Sequence, residues 1–155
     1  MLSQKFPRVG IVDYATGNIL SIANALERIG SEHKIVREPR DLHDCDAAIM
    51  PGVGHFNTAA QSLLTSGLAE KIHEQASSGL PLLGICLGFQ LLTQSSQEAP
   101  YQIGLGVFPT QTVRLELINP KQFKVPHIGW NTIEVDQLSP FLMQHIDPQE
   151  MRFYF

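Results

Sequence analysis

The sequence is poor in the features that would place it in several large classes. It has two cysteines, Cys45 and Cys86, and no CxxC pair. That excludes a disulfide-framework fold and fits a reducing compartment, so a cytoplasmic location is expected. Charged residues make up 17%, net charge is −4, and Lys and Arg occur only scattered or in pairs. Such a surface gives little electrostatic support to binding nucleic acid or an anionic membrane. No apolar run approaches the ~20 residues that span a bilayer, and the start, "MLSQKFPRVGIVDY", has no stretch of signal-peptide length. No internal repeat, low-complexity tract or linker is visible, and tryptophan occurs once, at Trp130.

What is present reads as a globular α/β chain. The 155 residues are 43% hydrophobic, enough for one domain, residues 1–155. "RVGIVDY" (8–14) is a β-branched run expected to form a buried strand. Ile19, Ile22, Ala23, Leu26 and Ile29 follow at helical spacing, with Asn18 as N-cap and Gly30 at the C-terminal cap. Further strands are expected at 33–37, 47–50 and 81–85, and helices at 56–64, 68–76 and 87–95. This alternation predicts a mostly parallel sheet flanked by helices, flavodoxin-like in kind. From Tyr101 onward Gly, Pro and β-branched residues dominate, and strands are expected at 107–115, at 131–135 and in the closing "MRFYF". The fold class is therefore α/β, with added antiparallel strands in the last third.

One stretch carries chemistry. In "PLLGICLGFQLL" (81–92), Gly84-Ile85-Cys86-Leu87-Gly88 has the G-x-nucleophile-x-G form of a sharp strand-to-helix turn. Such a turn strains the nucleophile's backbone and needs small flanking residues. The thiol would stand at a helix N-terminus, which favours thiolate, and the Leu87 N–H would point toward a developing oxyanion. The competing reading is a buried cysteine packed as a small hydrophobe; for Cys45, in "LHDCDAA", that reading is preferred. A second loop, Pro51-Gly52-Val53-Gly54, ends the third strand. Strand ends of a parallel sheet converge on one crevice, so this loop can meet Cys86 and lend a second backbone donor. The alternative is an ordinary tight turn.

The two loops, in this order, resemble the class I glutamine amidotransferases. Within them the sequence is most similar to the glutaminase subunits of imidazole glycerol phosphate synthase. The similarity rests on "VDYATGN" (12–18), "PGVGHF" (51–56), "GICLGFQLL" (84–92) and "VPHIGWN" (125–131), with "FYF" (153–155) as the start of a further shared segment. It spans essentially the whole chain. The resemblance implies that Cys86 attacks glutamine to form a thioester, giving glutamate and ammonia. Leu87 and the Gly52, Val53 and Gly54 segment would supply oxyanion donors, and Gly52 and Gln90 would hold the substrate. Ammonia would pass to a (β/α)8-barrel synthase subunit, HisF, in a heterodimer of histidine biosynthesis. Asn18, His127, Trp130 and Tyr154 match positions near that interface. No cofactor and no metal are implied.

Plainer roles stand beside these. Trp130 can be a core or edge aromatic, His127 a structural histidine and Gln90 a polar position on a helix. His55 follows the glycine loop, but a base needs geometry that sequence does not supply. His33, His43, His73 and His145 read as surface residues. The family's base is a histidine oriented by a glutamate in a His-Pro-Glu segment near the C-terminus, and this sequence contains no His-Pro-Glu. The expectation is a chain truncated before that segment and inactive alone. Alternative functions are an amidotransferase for another acceptor, a cysteine hydrolase with another acyl substrate, or a non-catalytic flavodoxin-like partner module.

Overall fold

The computed structural model describes residues 7–117, 125–133 and 152–155. Two compact units divide the chain, Met1–Arg114 and Leu115–Phe155. In the first, β1 (Val9–Val12), β2 (His33–Val36), β3 (Ala47–Met50) and β4 (Leu82–Gly84) form one sheet in the order β2-β1-β3-β4, every pair parallel. Helices α1 (Ile19–Arg28), α2 (Phe56–Thr65) and α3 (Leu68–Ser77) connect them, with a 3₁₀ turn at Pro39–Asp44.

Strand alternation assigns the two faces. Val9 and Ile11 of β1 pack with Ala23 and Leu26 of α1, joined by Ile35 of β2 and Ile49 of β3. On the opposite face Val12, Val36, Ala48 and Met50 meet Phe56, Leu63, Leu68 and Ile72 of α2 and α3. Each fully buried Leu, Ile or Phe of this kind contributes about 1.5–3 kcal/mol of hydrophobic stabilisation. Gly10 leaves room for the second cysteine: a Cβ there would come within 2.9 Å of Cys45 Sγ. Cys45 is half-buried, and burial pushes its thiol pKa up.

Helix α1 begins and ends where its sequence directs. Asn18 Oδ1 accepts from the Ser21 N–H at 3.2 Å. At the other end Gly30 has φ +74°, its N–H donates to Glu27 O at 3.0 Å, and Ser31 N–H donates to Leu26 O at 2.9 Å. These two bonds form a Schellman cap. Gly67, φ +74°, separates α2 from α3 in the same left-handed conformation.

The helix expected over 87–95 is shorter. Helix α4 covers Leu87–Leu91, and Thr93–Ser96 is strand β5, paired in parallel with β6 (Phe108–Thr112). The returning chain supplies the reason. Continued helix would need donors for the carbonyls of Leu91, Leu92 and Thr93 from residues 95 to 97. Those carbonyls accept instead from the N–H groups of Leu105 at 2.8 Å, Phe108 at 2.9 Å and Gly106 at 3.1 Å. Gly104 permits the approach, since a Cβ there would overlap the Thr93 carbonyl oxygen. Thr93 Oγ1 also turns back to Gln90 O at 2.7 Å, capping the short helix. The strand expected over 107–115 is accordingly confined to Phe108–Thr112.

The second unit contains β7 (Trp130–Thr132) and β8 (Arg152–Tyr154), paired antiparallel with Trp130 opposite Tyr154. Gly129 and Phe155 exchange both backbone bonds at 2.9 and 3.0 Å and extend the ladder by one position. Residues 134 and 135, at the end of the strand expected over 131–135, lie outside the described residues, as does His145. Among the described residues no helix is long and apolar enough to cross a membrane.

Candidate functional site

Cys86 stands between β4 and α4 with φ +53° and ψ −115°, a backbone conformation that residues with a Cβ rarely adopt. Its side chain is exposed. The strain falls on the cysteine itself. Neither Gly84 nor Gly88 has a positive φ; their role is close approach. A Cβ on Gly88 would overlap the carbonyl oxygen of Met50, and one on Gly84 would overlap the backbone of Phe89. The turn is thus pressed against the end of β3, where Ile85 N–H donates to Met50 O at 2.9 Å.

That contact brings the glycine loop to the cysteine turn. Gly52 is buried, and a Cβ placed on it would lie 3.0 Å from both Gly88 N and Leu87 Cβ. Leu87 is buried; among the described residues its N–H meets no protein acceptor, whereas Gly88 N–H donates to Ile85 O at 3.0 Å. Beyond Gly52 the loop turns outward: Val53 is 62% exposed, and Gly54 has φ +112°.

Cys86 also borders an open cleft of about 380 Å³ lined by Phe89, Gln90, Thr93 and Thr110 to Val113. A neighbouring cleft of about 470 Å³ shares Gln90, Thr112 and Val113 and reaches Glu98 and Arg114. Gln90 therefore borders both, one helical turn past the cysteine, with its backbone N–H bonded to Cys86 O at 3.2 Å. The two clefts present hydroxyl, amide and charged groups to a small polar ligand.

His55 occupies the N-cap position of α2, and its Nδ1 lies 2.8 Å from Glu98 Oε1. The same carboxylate oxygen accepts from the Phe56 N–H at 3.4 Å and so helps to cap α2. This His–Glu pair was not singled out by spacing, because 43 residues separate its members. His43 and His73 are exposed, as expected, while His33 is half-buried, 4.0 Å from Glu27. Among the described residues no three His, Cys, Asp or Glu side chains converge as a metal site.

Tyr14 is a residue that motif reading passed over. It lies two residues past β1, near the end of β3, is 2% exposed, and its hydroxyl donates to the Pro51 carbonyl. Burial pushes its pKa up to about 12, against the Thr16 hydroxyl nearby and with a smaller push from the charge of Cys86. The only sequence signal was its place in "VDYATGN".

The four residues expected near a partner surface are distributed over both units. Asn18 is exposed and caps α1. In the second unit Trp130, 66% exposed, makes an edge-to-face contact with Tyr154 at 5.8 Å between ring centroids. The His127 ring lies 5.8 Å from that of Phe155.

Comparison with known proteins gives a consistent picture. Residues 8–125 match the CobB/CobQ-like glutamine amidotransferase domain family. The chain is 48% identical over 127 residues to the imidazole glycerol phosphate synthase subunit HisH of Methanopyrus kandleri, covering 82% of this chain and 61% of that protein. It is 42% identical over 136 residues to the subunit of the same name from Bacillus subtilis, covering 86% of this chain and 64% of the relative. The chain thus spans somewhat under two thirds of the length of these relatives. A crystal structure of a glutamine amidotransferase superposes with TM-score 0.62 at 30% identity, over 68% of this chain and 56% of the other.

Proposed function

Since the chain belongs to the class I glutamine amidotransferase family, we propose that it is the glutaminase part of imidazole glycerol phosphate synthase. In this reading it hydrolyses glutamine in the cytoplasm and passes the ammonia to a synthase subunit, HisF, its partner in a heterodimer. The observation that carries the reading is the backbone of Cys86, strained at φ +53° on a strand-to-helix turn with the Gly52 loop packed against the next two residues. A solely structural cysteine has no need of that conformation.

The mechanism follows from the groups at hand. Cys86 Sγ, as thiolate, attacks the side-chain carboxamide carbon of glutamine, bound along the cleft that Gln90 borders. Negative charge moves to the carboxamide oxygen. The Leu87 N–H, without an acceptor among the described residues, and a backbone N–H of the Gly52–Gly54 loop stabilise it. Collapse expels the amine as ammonia once it is protonated, leaving a glutamyl thioester that water hydrolyses to glutamate. The proton donor in the family is a histidine with an orienting glutamate, and no residue of this sequence is assigned that role. Asn18, His127, Trp130 and Tyr154 are the proposed contacts to the synthase subunit. The subunit designation of the relatives supports the existence of such a partner.

The test is glutamate release from glutamine by the intact gene product, with and without the barrel synthase, for wild type and Cys86→Ala. The expected result is activity that depends on both Cys86 and the barrel. Activity surviving in Cys86→Ala would end the nucleophile assignment. Wild-type hydrolysis indifferent to the barrel would point to a different acceptor.

A further inference from the structure

We propose that Tyr14 is a positioning residue for the oxyanion donors: its hydroxyl pins the Pro51 carbonyl and so fixes the start of the Pro51–Gly54 loop against the Leu87–Gly88 turn. The proposal rests on the glutaminase reading and deepens it. Strands β1 and β3 are parallel neighbours, so the chain leaving β1 at Asp13 and Tyr14 emerges beside the chain leaving β3 at Pro51 and Gly52. Tyr14 is buried there, and its only acceptor among the described residues is Pro51 O.

Three further contacts show that the fit is close. A Cβ on Gly52 would overlap the Tyr14 hydroxyl, so the phenol lies directly over the loop's first glycine. On another side Gly17, φ +134°, is within reach of the same peptide: a Cβ there would lie 3.2 Å from Pro51 O and 3.4 Å from Gly52 Cα. Gly52 in turn rests against Leu87 and Gly88. The far end is not held in this way, since Val53 is exposed and a Cβ on Gly54 would find no atom of the described residues within 4 Å. The loop is therefore anchored at Pro51 and open from Val53 onward. The donor peptides lie within one to three residues of that anchor. An oxyanion donor works only when held close to the position where charge develops. Burial keeps the Tyr14 hydroxyl protonated, and so a donor, throughout the ordinary assay range.

Tyr14→Phe keeps the ring and removes only the anchor. In the intact gene product with its barrel partner, kcat for glutamine hydrolysis is expected to fall about 10-fold, less than the loss of a donor itself. KM is expected to stay within about twofold, because the contact acts on the transition state. Iodoacetamide alkylation of Cys86 needs no oxyanion donor, and its rate is expected to stay within about twofold. The pH–rate profile is expected not to move, since a positioning hydroxyl exchanges no proton. The proposal is overturned if kcat is unchanged, if only KM rises, if alkylation slows in step with kcat, or if the pH profile shifts. Hydrolysis that survives Cys86→Ala instead removes the glutaminase reading itself. A Cys86-dependent enzyme indifferent to Tyr14→Phe removes only the role given to Tyr14.

Discussion

Replacing Cys86 by glycine is expected to stabilise the fold while abolishing the chemistry. Cys86 sits at φ +53°, ψ −115°, and a residue with a Cβ in such a sparsely populated region costs about 1–3 kcal/mol. Glycine adopts the same backbone without that cost. It gives back about 0.5–1 kcal/mol through the greater freedom of the unfolded chain. The cysteine side chain is exposed, so little packing is lost with it. The net expectation is a gain of about 0.5–2 kcal/mol, or a rise in Tm of about 2–6 °C for a protein of this size. Cys86→Ala is the control: it removes the thiol, keeps the Cβ and hence the strain, and is expected to stay within about 0.5 kcal/mol of wild type. Urea unfolding of the three proteins, with unchanged m-values, measures the difference. A glycine variant no more stable than the alanine variant would refute the strain argument. The turn would then be held by its surroundings at no cost to the cysteine.

Two further outcomes follow from contacts around the site and the sheet. Gly88→Ala would place a Cβ on the Met50 carbonyl oxygen, and separating the turn from β3 is expected to cost about 3 kcal/mol; an unfolding midpoint equal to wild type would show the contact to be looser than described. The Asp41 carboxyl is held down at about 2 by the Lys34 ammonium at 3.0 Å and then by the backbone N–H groups of Arg37 and Glu38. A depressed carboxylate adds stability that is fully present above its unfolded pKa, about 3.9, and is lost as pH falls toward 2. Asp41→Asn is therefore expected to destabilise at pH 7 and to flatten the acid limb between about pH 4 and 2, read from urea midpoints across that window; an unchanged acid limb would dissociate Asp41 from it.

The helix that stops at Leu91 shows why local pattern was an incomplete guide. "LGFQLLTQS" has helical spacing and, after Gly88 in its first turn, neither glycine nor proline, so nothing within it announces an end. The end is imposed by residues 104 to 108, whose N–H groups take the carbonyls that further helix would have used. Hydrogen-bond competition between segments ten or more residues apart has no local signature. The His55–Glu98 contact escaped for the same reason. The cap of α1 was legible because both of its ends are local: Asn18 to Ser21 and Gly30 to Glu27 are three residues apart.

By itself the sequence determined the parallel strands and the glycine-flanked cysteine between a strand and a helix. It also marked out the Pro51–Gly54 loop as the candidate second donor. Hydrophobic run length, cap chemistry and glycine spacing are properties of neighbouring residues, so they can be read along the chain. Only the tertiary structure decided the order β2-β1-β3-β4, which sets β1 and β4 on either side of β3. From that order come the overlap that forces glycine at position 88, the meeting of Gly52 with Leu87, and the Tyr14 hydroxyl on Pro51. Each of these joins residues 35 or more positions apart, and such contacts exist only once the sheet has chosen its neighbours.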